Sequence, residues 1–283
     1  MIWLILLGLH LVGLVGYSLL LRREAHAGKL HPWVLATLLH TALSVPFLVI
    51  ALFVHPELGR ITLGSSVMIV AAVLLSALLQ ITIVKALQYL EAGSYAVLYS
   101  TRIVFATVLA ALFLSEMPSV WKMIGGLLIL AAVFVLRQEG SKKVTKRGIA
   151  WGFAAAATAS TLAIVEKGLI NDIGVFTAGP VVVVLTALMM WSVVVVQGYR
   201  VSTKQIFTKQ IIGLVVFRAL AACAWVFALA AGALVSVATY ISSLSLVIVA
   251  ALGVFILKER DYLPRKIISV VLAVAGLSII LLL

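Results

Sequence analysis

The chain is one pattern written twice. Residues 1–137 carry five long apolar runs, residues 148–283 carry five more, and a basic stretch from Arg137 to Arg147 lies between them. Landmarks recur roughly 143–144 positions apart: Gly8 with Gly152, Arg22-Arg23 with Glu166-Lys167, Ser94 and Ala96 with Ser236 and Ala238, and Glu116 with Glu259. An odd number of crossings per copy forces the second copy to enter a bilayer from the opposite face. An even number would have left the copies parallel.

Composition places the pattern in lipid. Hydrophobic residues make up 64% of the chain and charged ones 11%, against about 25% charged in soluble domains. A span needs about 20 mostly apolar residues. The runs predict crossings near 2–21, 33–54, 65–89, 94–115, 119–136, 148–170, 175–197, 208–231, 234–257 and 263–283. Several abut so closely that only tight hairpins can join them. The expected fold is an all-α integral membrane protein, ten transmembrane helices in two inverted five-helix repeats. Residues 1–137 form the first repeat, 138–147 a basic cytoplasmic linker and 148–283 the second. The first run lacks a basic leader and ends in Arg22-Arg23 rather than a small-residue cleavage site, so it reads as a span and not a signal peptide. The single Cys223 excludes a disulfide framework.

A net charge of +12 would suggest nucleic acid in a soluble protein. Here topology accounts for it. Connections after odd-numbered spans hold 15 Lys and Arg residues, those after even-numbered spans hold 3, and Lys85, Arg102 and Arg218 fall inside spans. Basic residues in short loops stay cytoplasmic, so the bias predicts both termini outside. Nucleic acid is not an expected partner; the bilayer is.

Small residues suit helices packed in lipid, where close backbone approach replaces the hydrophobic drive. Gly8, Gly13 and Gly16 fall near one stripe of the first span, and Ala154 to Ala157 make the sixth thin. Pro46 and Pro180 lie near or within their spans and can bend them.

Polar residues at depth carry the functional information, because lipid makes them costly. Lys85, Gln88 and Tyr89 share a face of the third span, Tyr95, Tyr99 and Arg102 a stripe of the fourth, and Arg218 and Trp225 lie two turns apart in the eighth. A basic side chain at mid-depth costs roughly 2.5–3.5 kcal/mol on insertion scales. Each arginine has two readings. One is structural: it snorkels, caps a carbonyl, or pairs with Glu91 or Glu166. The other brings Arg102 and Arg218 together from opposite halves to hold an anion, which the planar guanidinium fork suits.

The neighbours refine the site. Tyr99 and Trp225 are deep enough for a cavity wall, whereas Tyr89 and Tyr95, near a turn, read as interfacial belt residues. Ser236, Tyr240 and Ser243 line one face of the ninth span. His10, and with less interest His40, reads either as a proton relay or as a neutral imidazole bonded to a neighbouring helix. Glu166, next to Lys167, reads as a local or snorkelling group. Nucleophile elbows, phosphate-cradling glycine loops and metal-spaced His/Cys clusters are missing, so neither an enzyme nor a cofactor or metal site is expected.

Two halves of five spans, tight turns after spans 4 and 9, and an acidic residue before another apolar helix resemble the EamA group of the drug/metabolite transporter superfamily. LFLSEMPSVWKMIGGLLILAAVFVL carries the pattern at Ser115-Glu116, Gly125 and Gly126, and FILKERDYLPRKIISVVLAVAGLSIILL repeats it at Lys258-Glu259-Arg260 and Gly276. The resemblance implies alternating access around a cavity lined mainly by spans 1, 3, 4, 6, 8 and 9, in a bacterial inner (plasma) membrane. It makes His10, Gln88, Tyr99, Arg102, Arg218, Trp225 and Tyr240 candidates for lining that cavity, with Glu116 and Glu259 structural; Lys85, on the face of Gln88, completes the candidate substrate-binding residues. The proline that such relatives often carry in spans 4 and 9 is missing here, and their termini usually lie inside. The expected function is secondary transport of a small polar or amphipathic, anionic or zwitterionic metabolite by rocking of the two halves, with proton or counter-solute coupling left open. Export of lipophilic cations is the alternative, and a non-transporting accessory membrane protein is a third reading.

Overall fold

The computed structural model describes residues 2–27, 30–54, 56–90, 95, 98–99, 101–115, 119–137, 145–199, 208–256 and 263–282. Among these residues the regular structure is entirely helical. The ten α-helices are α1 (Ile2–Ala27), α2 (Pro32–Val54), α3 (Leu63–Tyr89), α4 (Arg102–Phe113), α5 (Val120–Arg137), α6 (Lys146–Ile173), α7 (Val175–Val196), α8 (Lys209–Ala230), α9 (Val235–Ile256) and α10 (Leu263–Leu282). Tyr95, Leu98 and Tyr99, ahead of α4, are helical as well. Each helix falls on one of the expected spans. Six of them, α1, α2, α3, α6, α7 and α8, are long and apolar enough to cross a membrane. Helix is the form such runs must take, because only a helix satisfies its own backbone groups where water cannot.

The ends are built from local chemistry. Thr62 and Ser65 cap α3 reciprocally, each accepting a hydrogen bond from the other's backbone N–H. Thr145 and Thr208 cap α6 and α8 through the N–H groups of Gly148 and Ile211. The tight hairpin after span 6 is a single residue: Gly174, at φ +78°, ends α6 and starts α7. That left-handed conformation is why a glycine stands there. Both internal prolines are accommodated, with α2 running through Pro46 and α7 through Pro180. The linker 138–147 lies mostly outside the described residues, as do Glu91, Glu116 and Glu259; Lys146 and Arg147 open α6.

Helix α1 packs on α8 and α9, and α6 packs on α3 and α4. Helix α2 meets α7 and α8, α7 meets α2 and α3, α4 meets α9, and α5 meets α10. Glycines set the closest approaches. A Cβ on Gly13 would stand 2.6 Å from the backbone nitrogen of Ala221, and one on Gly16 would strike the Phe217 ring at 2.5 Å. Across α3 and α6 the same holds for Gly148 against Leu90 and Gly168 against Met68, at 2.8 and 2.5 Å. Every one of these contacts joins a helix of the first five to a helix of the second five.

Candidate functional site

Where the helices part they enclose a cavity of two lobes. The histidine lobe, about 890 Å³ with its mouth included, is bordered among others by His10, His40, Phe47, Glu166 and Trp225. The tyrosine lobe, about 690 Å³ with its mouth included, is bordered among others by Tyr17, Leu21, Leu87 and Tyr95. Five residues belong to both: Leu14, Leu79, Tyr99, Arg102 and Arg218. The two arginines therefore stand at the waist between the lobes. They come from opposite halves of the chain, on α4 and α8.

Arg102 opens α4 and is 8% exposed. Ser160 of α6 donates its hydroxyl to the Arg102 carbonyl at 2.9 Å, fixing the first turn of α4 against α6. The guanidinium lies over the Tyr99 ring, Cζ 4.6 Å from its centroid. Nη1 donates to the Tyr99 hydroxyl at 3.2 Å, and Nη2 makes a long contact of 3.5 Å with Ser243 Oγ. Ser243 can accept because its own proton goes to the Thr239 carbonyl at 2.8 Å. Both partners are neutral, and Nε, also buried, has no hydrogen-bond partner among the described residues. A guanidinium has five N–H donors, so this one keeps unspent capacity. Arg218 rests with Cζ 5.3 Å from the ring centroid of Tyr17, whose hydroxyl accepts from Gln80 Nε2 at 2.8 Å. Among the described residues neither arginine makes an ion pair. Pairing with Glu166, one form of the structural reading, is not seen for either one, and Glu91 lies outside the described residues.

In the histidine lobe, Trp225 donates Nε1–H to Glu166 Oε2 at 2.9 Å. Its ring tilts against that of His10, 5.1 Å between centroids. His10 Nδ1 lies 2.6 Å from the Ala221 carbonyl. A carbonyl can only accept, so Nδ1 carries a proton and spends it on α8. His40, 4% exposed, has no partner for either ring nitrogen among the described residues.

Five of the eight residues singled out from the sequence, Arg102, Arg218, Tyr99, Trp225 and His10, border the cavity. Lys85, Gln88 and Tyr240 do not. Lys85 extends over the Trp151 ring at 4.6 Å and ties α3 to α6. Gln88 is exposed one turn on. Tyr240, 2% exposed, packs on Ile103 and shares a 2.7 Å hydrogen bond with Thr107, joining α9 to α4. Tyr95, expected in the interfacial belt, is buried and stacked 5.3 Å from Tyr99. Glu166 points into the cavity, while Lys167 turns away to cap the carbonyl of Leu229 at 2.8 Å. Helices α2 and α7 also border the cavity, through His40, Leu43, Phe47, Val182 and Val183. Among the described residues no set of three His, Cys, Asp or Glu side chains gathers to hold a metal ion.

A helical chain with six membrane-length apolar helices around a charged interior is an integral membrane protein. Residues 2–138 match the EamA-like transporter family, and the chain is an EamA-type member of the drug/metabolite transporter superfamily. Members of that family are transporters rather than enzymes. A solved crystal structure superposes with a TM-score of 0.76 at 15% identity, covering 98% of this chain and 96% of the other. That likeness extends the shared fold across both halves. No curated protein matches the chain.

Proposed function

We propose that the chain is a secondary transporter of two inverted five-helix units. It carries a small anionic or zwitterionic, amphipathic metabolite through the central cavity by alternating access. One observation carries the reading: two guanidiniums from opposite halves meet the same waist, and among the described residues no carboxylate forms an ion pair with either of them. An anionic group bound there relieves a cost the fold otherwise bears, and the apolar and aromatic borders of the lobes cover the rest of the solute. Exchanging each helix for the one five places along turns α1–α8 into α6–α3, α1–α9 into α6–α4 and α2–α8 into α7–α3, and maps α2–α7, α4–α9 and α5–α10 onto themselves. That exchange symmetry supports a two-fold repeat, which an odd number of helices in each unit would invert, and the lobes on either side of the waist suit a site open to each face in turn. The tight contacts α1–α8 and α3–α6 join helices of different repeats, so the rocking bodies in this reading mix the two repeats. The loop charges put both termini outside. The energy source is a proton or a counter-solute, with Glu166 the described carboxylate on the path.

Thermal unfolding of the purified protein with organic acids, phosphate esters, amino acids and quaternary amines tests this. Anionic or zwitterionic solutes raise the midpoint of the native protein, and Arg102→Gln and Arg218→Gln abolish the rise. Glu166 in the cavity favours a second reading, export of lipophilic cations. Stabilisation by quaternary amines with indifference to anions would establish that one instead. A natively folded protein that neither binds nor moves any solute would be an accessory membrane component.

A further inference from the structure

Just beyond the histidine lobe a lysine closes the seam between α6 and α8. Glu166 and Trp225 border that lobe, and the closure lies one residue past the first and one turn past the second. There Lys167 Nζ donates to the Leu229 carbonyl at 2.8 Å and reaches that of Ala233 at 3.5 Å. Helix α8 ends on Gly232, at φ +93°, and the Ala233 N–H returns to the Ala228 carbonyl. The ammonium therefore sits on the negative end of a helix. Leu229 and Ala233 are 1% exposed or less, so the contact is shielded from its surroundings.

This contact crosses between two packed pairs. Gly13 brings α1 close to α8 and Gly168 brings α6 close to α3, whereas α6 and α8 meet only sparingly. The Trp225–Glu166 bond crosses the same seam one step inward. Arg23, the counterpart of Lys167 in the first half, stands two residues past Leu21 of the tyrosine lobe. Its described bonds stay within one pair: with its amide turned to satisfy both neighbours, Gln210 of α8 accepts from Arg23 Nε at 2.9 Å and donates to Glu24. The two matching cations thus do different things at the two ends of the cavity.

We propose that Lys167 is the latch of the histidine-lobe end: its grip on the α8 terminus holds that end shut, and its release lets the α3–α6 pair swing from the α1–α8 pair. It is a positioning residue that leaves the solute untouched, and the proposal rests on the rocking motion proposed above. Double electron–electron resonance on the full-length protein in detergent, in a Cys223→Ser background, reads both ends. One spin-label pair, Asn171→Cys with Ala231→Cys, spans the latched seam; the other, Gln88→Cys with Lys209→Cys, spans α3 and α8 at the tyrosine-lobe end, and all four sites are exposed. Lys167→Met should raise the ratio of long to short distances at the latched end about tenfold or more, the scale of one charge-assisted hydrogen bond. The other end should change in the opposite sense, and Lys167→Arg should restore both native ratios. Lys167→Gln serves if the methionine variant does not fold. Lengthening confined to the latched end would mean a frayed helix terminus and overturns the latch. Ratios unchanged by either substitution, while 3-phenylpropionate, an amphipathic anion, still shifts the distances of native protein, overturn it too and leave the rocking intact. Distances that neither variant nor solute moves overturn the rocking itself, and the latch with it.

Discussion

Trp225 reaches from α8 to donate its indole N–H to Glu166 of α6 at 2.9 Å, inside the cavity. A carboxylate held this way is oriented by its bonded oxygen. Hydrogen bonds to charged groups contribute about 1.5–3 kcal/mol. Trp225→Phe should lower unfolding stability by roughly that amount, and Glu166→Gln should lose less. The double variant should lose less than the two single losses added together. Denaturant or thermal unfolding of the four proteins checks the cycle; additive losses would separate the two residues energetically.

The α1–α8 contact predicts opposite fates for two glycines on one helix. A Cβ at Gly13 collides with the α8 backbone at Ala221, whereas one at Gly8 meets nothing within 4 Å. Gly13→Ala must push the helices apart and should cost about 1–3 kcal/mol, the usual range for overpacking. Gly8→Ala should leave the unfolding midpoint unchanged or raise it. Equal midpoints for the two variants would contradict the packing.

Lys85, Gln88 and Tyr240 were expected at the site and lie away from it. Lys85→Gln, Gln88→Ala and Tyr240→Phe should each leave solute affinity within about twofold of native, a few tenths of a kcal/mol. Tyr240→Phe should still cost about 1 kcal/mol of stability, since it removes the bond to Thr107. Binding titrations beside unfolding curves read both quantities.

The proposed cytoplasmic placement of the basic linker is open to chemistry in whole cells. In a Cys223→Ser background, Ser141→Cys should resist a membrane-impermeant maleimide until the cells are permeabilised, because basic loops stay inside. Labelling of intact cells would invert the topology.

The helices were legible because lipid demands long apolar runs, and such runs have few alternative folds. Arg102, Arg218, Tyr99, Trp225 and His10 stood out as polar or amphipathic groups well inside apolar runs, and all five border the cavity. Azimuth was not legible. A helix apolar all round offers no stripe to tell inside from outside, so Lys85 and Gln88 at comparable depth could not be told from lining residues. Glu166 was masked by its neighbour: consecutive helical residues diverge by about 100°, which sends Glu166 into the cavity and Lys167 to the end of α8. The single histidine of α2 gave too little signal to reveal that α2 closes the cavity.

The joint action of Arg102 and Arg218 on one anionic group is tested most directly by a double-mutant cycle on 3-phenylpropionate affinity, using native protein, Arg102→Gln, Arg218→Gln and the double variant. Each single change should weaken binding by about 10- to 100-fold, the scale of one charge-assisted contact. The double change should weaken it by clearly less than the product, since both residues hold the same group. Losses that multiply independently, or no loss in either variant, would contradict a shared anion site at the waist.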